Sequence, residues 1–201
     1  MKRTMAGAFA LMLLVACGSE DRTGQPETDT TATTGQSAQE TSSATATTTG
    51  AGGGTISMMS PDDKEFVTKA GMGGLYEVQA GNLALQNGTS ADVKTFAQRM
   101  VTDHGKANAE LAQLATTKGV ALPTELAGEH KAAFDHLSSM SGAEFDKMYM
   151  QHMVEDHNKD VGEFEKASTS ATDADVKTWA GKTLPTLKEH QSMAKEIAAK
   201  M

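Results

Sequence analysis

The sequence has little cysteine and few basic residues. Cys17 is the single cysteine among 201 residues, so no disulfide can form within the chain and a site built from several thiolates is excluded. Lys and Arg number 18 against 26 Asp and Glu, which gives a formal net charge of −8. An acidic chain repels phosphate backbones, so nucleic-acid binding is excluded, and electrostatic adhesion to anionic lipid is not expected.

Long apolar runs are also missing, apart from one near the N-terminus. The stretch from Met5 to Ala16 follows two basic residues and is too short to span a bilayer, which is typical of a cleaved signal peptide over residues 1–16. Its end, Leu14-Val15-Ala16-Cys17, matches the lipobox of bacterial lipoproteins, and Gly18 replaces the Asp that retains many of them in the inner membrane. We therefore expect lipid on Cys17 and an outer-membrane lipoprotein that faces the periplasm, with the membrane as its one predicted partner.

Residues 17–57 are predicted to be the lipidated cysteine and a tether. From Gly18 to Thr55 there is no Leu, Val, Ile, Met or aromatic residue. Such a segment cannot bury enough apolar surface to offset its ordering entropy, so we expect it to be disordered. The folded domain is expected to cover residues 58–201.

Apolar periodicity in this domain predicts four long helices and one short one. The long helices run from Ser60-Pro61 to Asn87-Gly88, from Thr89-Ser90 to Lys118, from Ser141-Gly142 to about Ser168, and from Thr172-Asp173 to the C-terminus with a bend at Pro185. The short helix, from about Thr124 to Ser139, follows a break at Gly119 to Pro123. No segment alternates with period two, so an all-α four-helix bundle is predicted.

Two sequence patterns recur within the bundle. The segments FAQRMVTDHGK from Phe96 and YMQHMVEDHNK from Tyr149 share six identical residues and an aromatic first residue at an offset of 53. The segment DVKTFA from Asp92 reappears as DVKTWA from Asp175. Such internal similarity predicts a bundle grown from a repeated helical unit.

Several blocks in this order resemble the domain of unknown function family 4142. They are EVQAG in the first helix, FAQRMVTDH in the second, LPTE before the short helix, SGAEFDKMYM in the third and LPTLKEH in the fourth. The resemblance covers about residues 60–201 and implies a ferritin-like four-helix bundle, here with a short extra helix between helices two and three. Family members are commonly labelled predicted outer membrane proteins. The resemblance implies no activity, because the family has no established one.

Heptad spacing places one chemically active side chain on the interior stripe of each long helix. These four residues, which we call the central cluster, are Glu77, His104, His157 and His190, each near the middle of its helix. Burying them without partners would cost several kcal/mol, so something must compensate. Three imidazoles and a carboxylate suit zinc, iron, nickel or copper, and helical bundles build such sites in their cores. One hypothesis is therefore a transition metal held by these four ligands.

Three acids and three methionines flank the histidines: Asp103, Asp156, Glu189, Met100, Met153 and Met193. The acids lie about 100° around their helices from the adjacent histidine, which suits them to support the ligands or to line the rim of the site. Each methionine lies about one helical turn from a histidine, which keeps copper(I) open.

The alternative hypothesis is a structural or interaction protein of the envelope with a metal-free polar core. The central cluster and bound water would then form a network that fixes helix register. Di-iron chemistry is not expected, because no Glu stands three residues before any of the six histidines. Haem would have to be noncovalent, since there is no Cys-x-x-Cys-His. An enzyme has the least support, because no nucleophile-base pair or Gly-rich phosphate loop is found, and no catalytic residue is assigned.

Overall fold

The computed structural model describes residues 59–201, which contain five α-helices and no strand. The helices are α1 (Pro61–Asn87), α2 (Ala91–Lys118), α3 (Gly128–Ser138), α4 (Gly142–Ser170) and α5 (Ala174–Ala198). For these residues the all-helical prediction is confirmed. No helix in this region combines the length and apolarity needed to cross a membrane. The predicted signal peptide, Cys17 and the tether lie outside the described residues.

Capping residues explain where the first two helices begin and end. The Ser60 side chain accepts a hydrogen bond from a backbone amide of the first turn of α1 at 3.1 Å, and Pro61 occupies that turn. Ser90 accepts the equivalent bond at the start of α2, at 3.5 Å. α2 ends at Gly119, whose φ of 67° lies in the left-handed region that favours glycine.

The short helix begins later than the sequence predicted. It starts at Gly128 and not near Thr124, because the preceding segment packs against α1 as irregular chain. A Cβ added to Gly71 of α1 would lie 3.1 Å from Leu122 Cδ2, so this glycine lets the segment approach closely. Ala127 is still extended, with φ −139° and ψ 166°, immediately before the helix. α5 is continuous through Pro185.

The four long helices form two hairpins within a helical bundle. α1 packs on α2 and α4 packs on α5, and the loops of each hairpin are three residues long. Loops this short make the paired helices antiparallel. α1 also contacts α4 and α2 contacts α5, while α3 lies against α1 and α4.

A buried aspartate of the first hairpin binds the loop of the second. Asp63 of α1 is 5% exposed and accepts hydrogen bonds from the backbone amides of Thr172 and Asp173. It also accepts from the Thr172 hydroxyl at 2.6 Å. Although burial acts to raise the pKa of Asp63, these bonds hold it below its ordinary value.

A second aspartate makes the matching contacts in the opposite direction. Asp146 of α4 is 3% exposed and accepts from the backbone amides of Thr89 and Ser90 and from the Thr89 hydroxyl, at 2.7–3.1 Å. The two sets of bonds are 83 positions apart in sequence, the same offset as the repeated DVKTFA and DVKTWA segments. The repeated unit is therefore a helical hairpin, with α1 and α2 corresponding to α4 and α5.

The interior consists of two apolar clusters with a polar layer between them. One cluster includes Phe96, Met100, Phe145, Tyr149 and Met153. The other includes Val67, Leu111, Phe164, Trp179 and Leu187. The buried histidines of α2, α4 and α5 each fall between residues of the two clusters along their helix, so the central cluster forms the polar layer.

Candidate metal centre

The structure brings the four members of the central cluster together. Glu77 is 2% exposed, His104 is 5% exposed, and His157 and His190 are 0% exposed. The centroids of the three imidazole rings are 5.2–5.6 Å apart. One nitrogen from each ring can be chosen so that all three lie within 4.8 Å of one another. Such a convergence of buried imidazoles could hold one metal ion.

Glu77 contacts two of the three histidines. Its Oε2 lies 2.7 Å from Nδ1 of His104, and its Oε1 lies 3.5 Å from Nε2 of His157. Oε1 has no hydrogen-bond partner among the described residues. The carboxyl group therefore has one oxygen engaged and one free within the buried layer.

The third histidine, His190, is hydrogen-bonded to a carboxylate that does not belong to the central cluster. Asp103 Oδ2 lies 2.9 Å from Nε2 of His190, and Arg99 Nε donates to the same oxygen at 3.1 Å. Arg99 also pairs with Glu189 and donates to Met193 Sδ at 3.3 Å. Sequence reasoning missed Arg99, although its position four residues before an acid on one helix is a recognisable signal. Among the described residues, the side-chain hydrogen bond of Met193 and the ion pair of Glu189 are thus both made with Arg99.

The other three flanking residues make no side-chain hydrogen bond to the central cluster within residues 59–201. Met100 and Met153 are fully buried in the apolar cluster around Phe96. Met153 contributes through its backbone, since its carbonyl oxygen lies 2.9 Å from His157 Nδ1. Burial raises the pKa of Asp156 to about 6, and its Oδ2 has no partner in this part of the chain.

Burial also determines the charges of the cluster. It lowers the pKa of each of the three histidines to about 4, so their rings are neutral at pH 7. It raises the pKa of Glu77 to about 8, an effect that His157 opposes and Asp156 strengthens. For Asp103, burial acts upward, but hydrogen bonds from His190 and Arg99 hold the pKa below its ordinary value. The carboxyl group of Glu77 is thus protonated at pH 7, and that of Asp103 is ionised.

Two of the rings have only one consistent tautomer. A neutral imidazole has one N–H and one lone pair, and neither an ionised carboxylate nor a carbonyl can donate. His190 therefore donates from Nε2 to Asp103, which leaves a lone pair on Nδ1. His157 donates from Nδ1 to the Met153 carbonyl, which leaves a lone pair on Nε2.

His104 has two possible tautomers, and its choice depends on the proton of Glu77. His104 Nε2 lies 3.2 Å from Nδ1 of His190. When Glu77 is protonated, it donates to His104 Nδ1, and His104 donates from Nε2 to His190, so this chain of bonds is complete. When Glu77 is ionised, it accepts from His104 Nδ1, and the lone pairs of all three rings point inward. Only the second state can receive a metal ion on all three rings.

A surface pocket borders this cluster. It has a volume of about 110 Å³, lies between α2 and α5, and is lined in part by His104 and His190. Asp103, Glu110 and Lys182 also line it, and Lys182 Nζ lies 2.8 Å from Glu110 Oε1. The pocket therefore brings solvent next to two of the three rings.

The family of the chain follows from its sequence match. The model of the domain of unknown function family DUF4142 matches residues 31–197, and the chain belongs to this family. No curated protein matches the sequence. The family resemblance inferred from the sequence blocks is confirmed. Membership of this family does not indicate an activity.

Two solved structures have a similar fold. A DUF305 fragment from Deinococcus radiodurans superposes with a TM-score of 0.63 at 12% identity, covering 71% of this chain and 99% of the fragment. CopM in its Cu(II)-bound form superposes with a TM-score of 0.58 at 14% identity, covering 69% of this chain and 96% of CopM. At these identities the similarity concerns the helical fold alone.

Proposed function

We propose that the domain binds one transition-metal ion between His104, His157 and His190. The observation that supports this most is the direction of the three ring nitrogens. Partners outside the cluster take up the N–H of His157 and of His190, and Glu77 can take up that of His104. The inner nitrogens then have no partner among residues 59–201 that can donate to them. A cation satisfies all three at once.

The ligand set favours a metal that accepts nitrogen. Imidazole suits zinc, copper, iron and nickel. Two nitrogens each bound at about 2.1 Å can be at most about 4.2 Å apart. The three ring nitrogens, which lie within 4.8 Å of one another, therefore fit one ion once any wider separation closes on binding. Copper(II) is the first ion to test, because the similar fold of CopM was solved in a Cu(II)-bound form. The methionine thioethers lie in the apolar cluster or against Arg99, which favours a nitrogen site over a copper(I) thioether site.

Two carboxylates would support the bound ion in different ways. Glu77 supplies negative charge beside the metal and holds the His104 ring, and its Oε1 is placed to act as a fourth ligand next to His157. Asp103 fixes the tautomer of His190, and Arg99 holds Asp103 in turn. Such supporting contacts typically change metal affinity 10–100-fold.

The series of hydrogen bonds from Glu77 to Asp103 also supports a second candidate function. The protein would then be a structural protein with a metal-free polar core. With Glu77 protonated, hydrogen bonds run without interruption through His104 and His190 to Asp103. In this state the cluster would fix the register of the long helices and bind no metal. The two candidates predict different responses to added metal.

We expect copper(II) affinity to rise about tenfold per pH unit between about pH 5 and 8 and then to level off. Metal binding must remove the proton of Glu77, whose pKa is raised to about 8 by burial. The three histidines, with pKa values of about 4, are already neutral over this range. One proton is therefore released. Competition against a chelator of known affinity at each pH measures the slope, and one copper per chain is expected.

Glu77→Gln is the control for this slope. Without an ionisable carboxyl group, the affinity should be weaker at pH 8, by roughly 10–100-fold, and nearly constant from pH 5 to 8. A profile that levels off near pH 6.5 with two or three protons released would show ordinary, solvated histidines. No copper binding at pH 8 in the native chain would leave the metal-free core as the better account.

We further propose a ferritin-like four-helix arrangement and attachment to the outer membrane through lipid on Cys17. The two hairpins of long helices support the first of these. The lipobox and Gly18 in the sequence support the second, with the domain facing the periplasm.

A further inference from the structure

A second polar cavity lies beside the central cluster. It has a volume of about 20 Å³, enough for one water molecule or one ion. Glu77 and His104 line one side of it, and Asn108, Asp160 and Trp179 contribute the other polar side chains used below. Glu77 therefore borders both the histidines and this cavity.

The carboxyl groups around the cavity have no lysine or arginine partner among the described residues. Glu77 and Asp160 line the cavity, and no Lys or Arg of residues 59–201 does. The side chain of Asp160 is partly exposed and makes no hydrogen bond or ion pair with the described residues. Glu77 is 2% exposed, and its Oε1 has no partner there. Two carboxylates that share so small a space repel each other unless a proton or a cation lies between them. The cavity therefore has the electrostatics of a cation site.

Asn108 supplies a third oxygen, and the sequence makes room for it. A Cβ added to Gly74 would lie only 2.0 Å from Asn108 Oδ1, so any larger residue at position 74 would displace the amide. Asn108 makes no side-chain hydrogen bond within residues 59–201, which leaves its carbonyl oxygen available. Carboxylate and amide oxygens are the ligands that hard divalent cations prefer.

The repeat explains why the two carboxylates meet. Glu77 and Asp160 are 83 positions apart, the offset that relates the first hairpin to the second. Each hairpin thus contributes the same helical position to one cavity, which residues of all four long helices line. Sequence reasoning found Glu77 by its heptad position but missed Asp160.

We propose that this cavity binds a hard divalent cation through Glu77, Asp160 and Asn108. Glu77 then connects two sites, because its Oε2 lies toward His104, and its Oε1 binds the second ion and bridges to the first when both sites are filled. The indole Nε1 of Trp179, buried and without a partner in this part of the chain, can donate to a water on that ion. The site shares Glu77 with the proposed histidine site but does not require that site to be filled.

Manganese(II) is the probe for this site, because it prefers oxygen ligands and its aqueous form has an EPR signal that disappears on binding. The full domain, stripped of metal, should bind one Mn²⁺ per chain. Asp160→Asn keeps the shape of the side chain and should weaken Mn²⁺ binding at least tenfold. Glu163→Gln, which removes the same charge from an exposed position of α4 outside this cavity, should change the affinity less than threefold.

Copper(II) binding, measured on the same proteins, separates this inference from the proposed function. Asp160→Asn should retain copper(II) affinity within a few-fold, and in native protein loaded with both ions the copper EPR signal should broaden, since Glu77 would hold the ions a few ångströms apart. Copper bound without Mn²⁺ overturns the second site and leaves the histidine site standing. Mn²⁺ binding that depends on Asp160, in a protein that binds no copper, overturns the histidine site and supports the second site. Equal Mn²⁺ binding by Asp160→Asn and the native chain would also overturn the second site.

Discussion

Replacing His104 and His157 by alanine is expected to weaken copper(II) binding at least about 1000-fold. These residues supply two of the three inward imidazoles, and a thousandfold loss corresponds to only about 4 kcal/mol, less than two metal–nitrogen bonds contribute in a buried site. His190 would remain with a lone pair but without a second ring to close the site. Affinity measured by competition with a chelator at pH 8 gives the comparison.

A matched control removes two other imidazoles from the same domain. His136 is exposed and His152 is partly buried, and neither belongs to the central cluster. His136→Ala/His152→Ala should bind copper(II) like the native chain. Excess metal should also raise the melting temperature of the native protein and of this control, but not that of His104→Ala/His157→Ala. If the latter variant only loses stability, and metal never shifts the native melting temperature, the polar core is structural.

Asp146→Ala is expected to lower the free energy of unfolding by about 3 kcal/mol. The substitution leaves three donors of the α1–α2 loop without their charged acceptor. A hydrogen bond to a charged group contributes about 1.5–3 kcal/mol, but these bonds are only part-buried, so water replaces the carboxylate at some of the donors and the total loss stays well below the sum of three bonds. For a domain of this size the melting temperature should fall by roughly 10 °C. Chemical and thermal denaturation of the metal-free protein measure both quantities.

Glu144→Ala tests whether the position in the fold, and not the loss of an acid, causes this effect. Glu144 is an exposed acid in the first turn of the same helix, and its removal should cost less than about 1 kcal/mol. Asp63→Ala should match Asp146→Ala, because Asp63 makes the corresponding bonds in the other hairpin. Equal stability of the Asp146 and Glu144 variants would show that the hydrogen bonds that Asp146 accepts from the loop of the other hairpin do not stabilise the fold.

Local signals in the sequence were sufficient for most of the helix boundaries. Serine caps before α1 and α2 and the left-handed Gly119 after α2 act within a few residues, so the sequence alone predicted them. The start of α3 depends instead on a contact with α1, where Gly71 admits Leu122. Heptad spacing could not reveal that contact, because it joins residues that are far apart in the chain.

The site shows the same division between periodicity and tertiary contacts. Heptad spacing predicted that Glu77 and the three histidines face the interior, since orientation follows from helical geometry alone. It could not show which nitrogen of each ring faces inward, because that depends on partners such as the Met153 carbonyl. The repeated segment DVKTFA/DVKTWA in α2 and α5 has an offset of 83. The same offset applied to α1 and α4 relates Glu77 to Asp160 and Asp63 to Asp146, but no sequence segment repeats there to signal it.

X-ray absorption spectroscopy of the copper(II)-loaded domain tests most directly whether the three imidazoles converge on one ion. We predict nitrogen or oxygen neighbours at about 2.0 Å and outer-shell scattering from three imidazole rings, reduced to at most one ring in His104→Ala/His157→Ala. A spectrum with one imidazole or none in the native protein, or with sulfur at about 2.3 Å, would contradict a histidine centre in the bundle core.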